Sequence, residues 1–509
     1  MRKLVTTFLL GSTLLSATAC RKHDRGRSEV SAEYVRAPGL EHAGSAAVPA
    51  DQGSASTEGY IDHGKNPWVS ASKDRLSTFA ADVDTASYTL ARRKLTEGSL
   101  PVAAGVRVEE FVNYFRYSFP EPGGNTPFSV VIDAAPSPVA PARHILRVGV
   151  ATRAKSKAER KPANLVFLVD VSGSMDSADR IGLAKASLRI LTENLGEQDT
   201  VSLVTYAGSS RVVLEPTSDR RRILEALDDL TANGSTGMAS GIDLAYQQAV
   251  RAAKPGTVSR VIVLSDGDAN VGAHTHDEIL AMIASRVKEG VTLSTIGFGV
   301  GNYKDAMMEQ LANKGDGNNF YIDTLDAARK VFQEQLGATL EVVAKDAKLQ
   351  VDFDPALVSR YRLVGYENRD IADHDFRNDR VDAGEIGAGH QVTALYEIEL
   401  TAQGKQTSAP IATVRTRHKT PDGDKAIEAA FPMVGGPAGS FAAAAQDLKF
   451  AFAVAAFADT LRGGADAEHW SLTSVRDIAK QAAGDSEDRR ELVTLIDKAI
   501  TIKGQSARR

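Results

Sequence analysis

Asp170, Ser172 and Ser174 stand at two-residue spacing directly behind an unbroken apolar run, residues 165–169. All three offer hard oxygen atoms, and hard oxygens in near-octahedral array suit Mg²⁺ or Mn²⁺ rather than zinc. The run is short, lacks polar alternation and ends at a glycine-containing turn, which is how a strand buried on both faces of a parallel sheet reads. Such a strand leaves only its end for chemistry. Open α/β sheets hold their ligands beyond the carboxyl ends of the strands, where these three residues are expected.

The elements needed to place them there follow in order. From 164 to about 336 strands and helices alternate, as a doubly wound sheet requires. Ile181, Ala184, Leu188, Leu191 and Leu195 fall on one helical face. Residues 200–206 and 211–214 read as a hairpin, and Ile223, Leu227 and Leu230 as the inner face of a second helix. Met238, Ile242, Ala245 and Ala249 mark a third helix, residues 260–264 a buried strand, and Ile279, Ile283 and Val287 a fourth helix stopped at Gly290. Residues 291–298 and 319–322 supply the last strands.

This pattern resembles the von Willebrand factor type A (VWA) domain with its metal-ion-dependent adhesion site. That family joins a D-x-S-x-S turn to a threonine from a later loop and an aspartate ending a later strand. The resemblance assigns these parts to Asp170, Ser172 and Ser174, to Thr236 in the run Gly-Ser-Thr-Gly, and to Asp266 behind residues 260–264. It implies a doubly wound, mostly parallel six-stranded α/β sheet with one antiparallel edge strand. It also implies Mg²⁺ (or Mn²⁺) at the strand ends, with an Asp or Glu from a protein partner in the open coordination position. Two carboxylates and otherwise neutral hydroxyls leave a divalent ion electrophilic toward one more oxygen, in keeping with that role.

Outside this core the chain divides further. A composition typical of globular proteins and a net charge of −5 over 509 residues give no basic stripe for nucleic acid. Residues 1–19 read as a signal peptide: Arg2 and Lys3, a short apolar core, then Ala17-Thr18-Ala19. Cys20, the sole cysteine, follows at once and points to a lipid-anchored bacterial envelope protein, although Ala17 stands where leucine is commoner. The alternative is plain secretion with Cys20 as an incidental thiol. Arg21 in place of Asp favours the outer of two membranes. Residues 20–65 carry few large apolar side chains and read as a flexible tether. Residues 66–161 form a small α+β segment, 162–340 the VWA domain, 341–435 an antiparallel β region with one solvated face, and 436–509 a helical end.

The leader with its cysteine, residues 76–88, the VWA core and residues 362–389 together resemble a family of bacterial VWA-domain lipoproteins. Other chemistry is weakly supported. Asp82-Val83-Asp84-Thr85 has the D-x-D-x-T form of haloacid-dehalogenase-like phosphatases but follows a short strand, so turn or helix-capping aspartates are the better account. His274 and His276 lack a third zinc ligand, and no Ser-His-Asp, Cys-His or phosphate-loop pattern is present. The expected function is non-enzymatic, metal-dependent binding of a protein. The alternatives are a hydrolase using the same cation and a structural scaffold.

Overall fold

The computed structural model describes residues 60–506 apart from 82–83, 124–125, 157–158, 236, 268–274, 300–304, 336–341, 382, 422 and 465–470. Cys20, Thr236, His274 and residues 1–59, which hold the leader and nearly all of the expected tether, lie outside the described residues.

A six-stranded sheet carries the α/β part, in the order Asn319–Tyr321, Val291–Gly297, Val258–Ser265, Ala163–Asp170, Thr200–Tyr206, Ser210–Thr217. All neighbouring strands run parallel except the last pair. The expected fold class therefore stands, including its antiparallel edge. Every residue of Ala163–Asp170 is buried. Leu165, Phe167 and Val169 pack with Leu188 and Leu191 on one face, while Val166 and Leu168 pack with Ile242, Ala245 and Ala249 on the other. A side chain covered on either face must be apolar, which is why the run shows no alternation. Helix Met238–Ala252 sits close because Gly241 has no side chain: a Cβ there would lie 2.8 Å from that of Tyr206.

The flanking segments do not fold apart from each other. One sheet runs Val69–Ser70, Val358–Val364, Gln391–Leu400, His144–Thr152, Phe128–Pro136. A second runs Ile386–Gly387, Val342–Phe353, Ala412–Lys419, Ala426–Pro432, and Leu76–Ala80 also pairs with Val342–Phe353. Both sheets thus mix strands from 66–161 with strands from 341–435. Phe128, Leu146, Val148, Leu349, Val351 and Tyr396 share one core between them.

The expectation of a solvated face fails for Gln391–Leu400, which is buried along nearly its whole length. Leu395 and Ile145 point away from the shared core and join a second cluster with Phe111, Phe450, Val454 and Phe457. That cluster also buries helix Gln446–Leu461 almost all round, which accounts for its alanine- and phenylalanine-rich sequence without a bilayer. No helix among the described residues is long and apolar enough to cross a membrane.

Buried ion pairs join the α/β part to its surroundings. Arg107, just before helix Val108–Tyr114, bonds Glu110 and also donates to Asp305 at 2.7 Å. Arg369 reaches Asp84 at 2.8 Å, and Arg92 donates to Asp323. Such pairs add little net stability, but removing one partner strands a buried charge and costs about 3–5 kcal/mol.

Glu109 is buried with no cation bonded to it among the described residues. Its carboxylate accepts the backbone N–H of Tyr366 at 3.0 Å, where Gly365 and Tyr366 both take positive φ. Burial first, and then Glu367 and Glu110, push its carboxyl up from 4.5 to about 7. The folded chain therefore holds a proton that the unfolded chain releases, and stability falls as pH rises across that window. Replacing Glu109 with Gln should remove this loss and make the chain about 1–3 kcal/mol more stable than the parent above pH 7, with little difference below pH 4.5. Thermal melts of both proteins across this range provide the check, and parallel curves would show that Glu109 is already ionised throughout.

Candidate functional site

The strand ends place the candidate residues. Asp170 closes the central strand and is fully buried. Its Oδ1 accepts the backbone N–H of Ser172 at 2.9 Å, which turns the chain back over the strand end. A tight turn, Gly173–Met175, follows and brings the Ser172 and Ser174 hydroxyls within 3.0 Å of each other.

The next parallel strand, Val258–Ser265, is in register with the first, Val169 opposite Leu264. Ser265 and Asp266 consequently arrive beside Asp170. Ser265 donates its hydroxyl to Asp170 Oδ2 at 3.0 Å and accepts the N–H of Gly267 at 3.0 Å. Asp266 is also buried, at 2% exposure. Burial raises the Asp170 carboxyl above its usual range, and the neighbouring Asp266 adds to this, against hydrogen bonds from Ser172 and Ser265 that lower it.

Thr236 lies outside the described residues, but the chain just before it is held in place. Asn233 donates its N–H to the Val171 carbonyl at 2.7 Å, and Gly173 donates to that of Gly234 at 2.9 Å. The structure thus brings together Asp170, Ser172, Ser174 and Asp266 and ties Asn233 and Gly234 to their turn.

Two participants carry no sequence motif. Ser265 is one. The other is Arg180, whose guanidinium donates to Asp266 Oδ2 at 3.1 Å and also bonds the Ser174 carbonyl. Its only signal in the sequence is that it is the sole basic residue between Ser174 and Lys185.

The donor set fits a small hard cation: carboxylate and hydroxyl oxygens, with two buried negative charges that one guanidinium only half neutralises. Two nearby side chains have other partners. Asp179 accepts from Ser177 and Arg93, and His276 pairs with Gln310 on an exposed helix start.

Asp84 departs from its expected turn or capping role. It is fully buried, accepts the N–H of Asn319 at 2.7 Å and pairs with Arg369. With Glu110 and Glu309 it forms a compact acidic group. Arg107 and Arg369 stand within that group, so it is an ion-pair junction. A cavity of about 240 Å³ lined by Arg260, Asn318 and Arg369 lies toward the opposite ends of the strands and includes neither Asp170 nor Asp266.

Comparison with known proteins agrees with this architecture. The model of the von Willebrand factor type A domain matches residues 164–334. A model described as "von Willebrand factor" matches 54–147, and one described as "Uncharacterized protein YfbK, C-terminal" matches 338–502. The Escherichia coli (strain K12) protein "Uncharacterized protein YfbK" is 39% identical over 471 residues, covering 87% of this chain and 81% of its own. "Uncharacterized protein sll0103" of Synechocystis is 28% identical over 232 residues, 44% of this chain and 54% of its own. Among solved structures, a von Willebrand factor type A protein from Catenulispora acidiphila aligns over 77% of this chain and 89% of its own, at 16% identity and a TM-score of 0.41. Three family models in succession and a relative matched over most of its length lead to one assignment: the chain belongs to the YfbK family of bacterial VWA-domain proteins.

Proposed function

We propose that this is a lipid-anchored cell-envelope protein that binds a protein partner through a divalent cation, without turnover. The observation carrying this reading is the pair of buried carboxylates, Asp170 and Asp266, at adjacent strand ends beside the Ser172 and Ser174 hydroxyls. Mg²⁺, or Mn²⁺, is the ion such oxygens prefer. Asp170, Ser172, Ser174, Asp266 and, from its loop, Thr236 are the residues that would hold it. When bound, the cation supplies an electrophilic position for one outside oxygen, and an exposed Asp or Glu of the partner is its natural occupant. The chain's own residues orient and dehydrate the site: Ser265 and the Ser172 N–H fix the Asp170 carboxylate, and the sheet excludes water from behind it.

Three outcomes are expected. Mg²⁺ at about 100 times its Kd should stabilise the parent by about 2.7 kcal/mol and leave Asp170→Ala unchanged. In EDTA the same substitution should cost about 1–3 kcal/mol, since it relieves repulsion by Asp266 but leaves the Ser172 N–H and the Ser265 hydroxyl without their acceptor. Melting curves with and without the ion read both, and loss of the fold in Asp170→Ala would contradict the second.

Partner capture should persist in Mg²⁺, weaken in Ca²⁺, which prefers more ligands at longer distances, and vanish in EDTA or in Asp170→Ala. Capture undiminished by EDTA places recognition elsewhere on the molecule.

Anchoring rests on Cys20, directly after Ala-Thr-Ala. Cys20→Ser should leave the membrane fraction for a soluble or uncleaved form, and unaltered fractionation would refute lipidation.

A further inference from the structure

Arg180 is positioned by more than its own bond to Asp266. It lies in the turn Ala178–Gly182, immediately after the serines. Its neighbour Asp179 is drawn the other way, accepting from the Ser177 hydroxyl at 2.7 Å and from Arg93 at 2.8 Å. Opposite pulls on successive residues send Arg180 toward the site. Its aliphatic stem crosses Gly299, where a Cβ would lie 2.8 Å from Arg180 Cγ and closer still to Nε. Gly299 has a φ of +73° and gives its carbonyl to the Tyr321 hydroxyl. A slot without a side chain thus receives the arginine, and only 20% of that side chain is exposed.

The charge count follows directly. Asp170, Asp266 and Arg180 sum to −1, a divalent ion brings the site to +1, and one outside carboxylate brings it to zero. We propose that Arg180 is a specificity-determining positioning residue that weakens the chain's hold on the cation until an acidic ligand completes the site. This rests on the metal reading above and adds that cation and carboxylate bind cooperatively. A fixed positive charge within one side-chain length of the ion opposes it, and the incoming carboxylate relieves that opposition. Linkage makes the effect reciprocal, so the cation raises carboxylate affinity by the same factor.

The test titrates Mn²⁺ into the purified full-length chain, with free ion read by electron paramagnetic resonance. Titrations are run in sodium chloride and in sodium acetate at equal ionic strength, acetate being the carboxylate probe. The parent should bind Mn²⁺ more tightly in acetate. Arg180→Gln should bind it about tenfold more tightly than the parent in chloride and lose most of the acetate effect. Arg180→Lys, which keeps the charge, should stay close to the parent and serves as the folding control, with Gly299→Ala as a second way of displacing the guanidinium. Parent binding with Arg180→Gln equal or weaker, in a variant whose melt is cooperative, overturns the role of Arg180 and leaves the metal site standing. Absence of Mn²⁺ binding in the parent and in both Arg180 variants overturns the metal site itself, and the proposal with it.

Discussion

Burial of one strand on both faces is the constraint on which the rest depends. Ala163–Asp170 has a parallel strand on either side and helices above and below, so none of its residues reaches solvent. Residues 165–169 are apolar without interruption, Asn164 before them is bonded inside to the Ala249 carbonyl and the Ser259 hydroxyl, and the first carboxylate comes at the last residue. Asp170 is then at once the end of the core and the start of the site. Its carboxylate is costly to bury, and two features of the surrounding chain offset that cost: local donors from Ser172 and Ser265, and a guanidinium one residue pair away on Asp266. Core and site are thus one construction.

The flanking parts use a different economy. Where the α/β part meets them, the contacts include Arg107 with Glu110 and Asp305, Arg92 with Asp323, and Arg369 with Asp84. Apolar contact of the same area would hold equally well and be less particular about alignment. Buried charges have few acceptable partners, so these pairs select one docking geometry among many. The Gly365–Tyr366 turn, both residues at positive φ, is held instead by a backbone hydrogen bond to Glu109.

Much of this was legible in residue order because its causes are local. Continuous apolar runs gave the buried strands, period-3.6 faces the helices, and Asp170 with its serines the end of the central strand. The antiparallel edge was legible too. What escaped depends on distant partners. Leu76–Ala80 pairs with a strand some 270 residues later, as Leu349 opposite Phe79 shows, and no local pattern encodes that. Ala426–Pro432, at an edge and half exposed, lacks the alternation that would mark it as a strand within the β region. Gln391–Leu400 was given a solvated face because nothing in its own residues announces the helices that cover it. Asp84 read as a cap because short polar motifs look alike until their partners, here Asn319 and Arg369, are known. Arg180 has no motif at all. Its role comes from a turn, a glycine slot and a carboxylate on another strand.

The interleaving of the two β sheets sets an order of events during folding. Phe128–Pro136 and His144–Thr152 pair with each other at once, but Leu76–Ala80 and the other edge of His144–Thr152 find their neighbours only once residues 342–400 exist. The α/β part between them needs no such wait, since its strands pair with others from within 163–321. Contacts so far apart in sequence are slow to form, because the loop entropy is lost before the pairing is gained. The first-made strands therefore spend the longest time with open edges, and those edges are the places where a nascent chain is most exposed to pairing with another copy of itself.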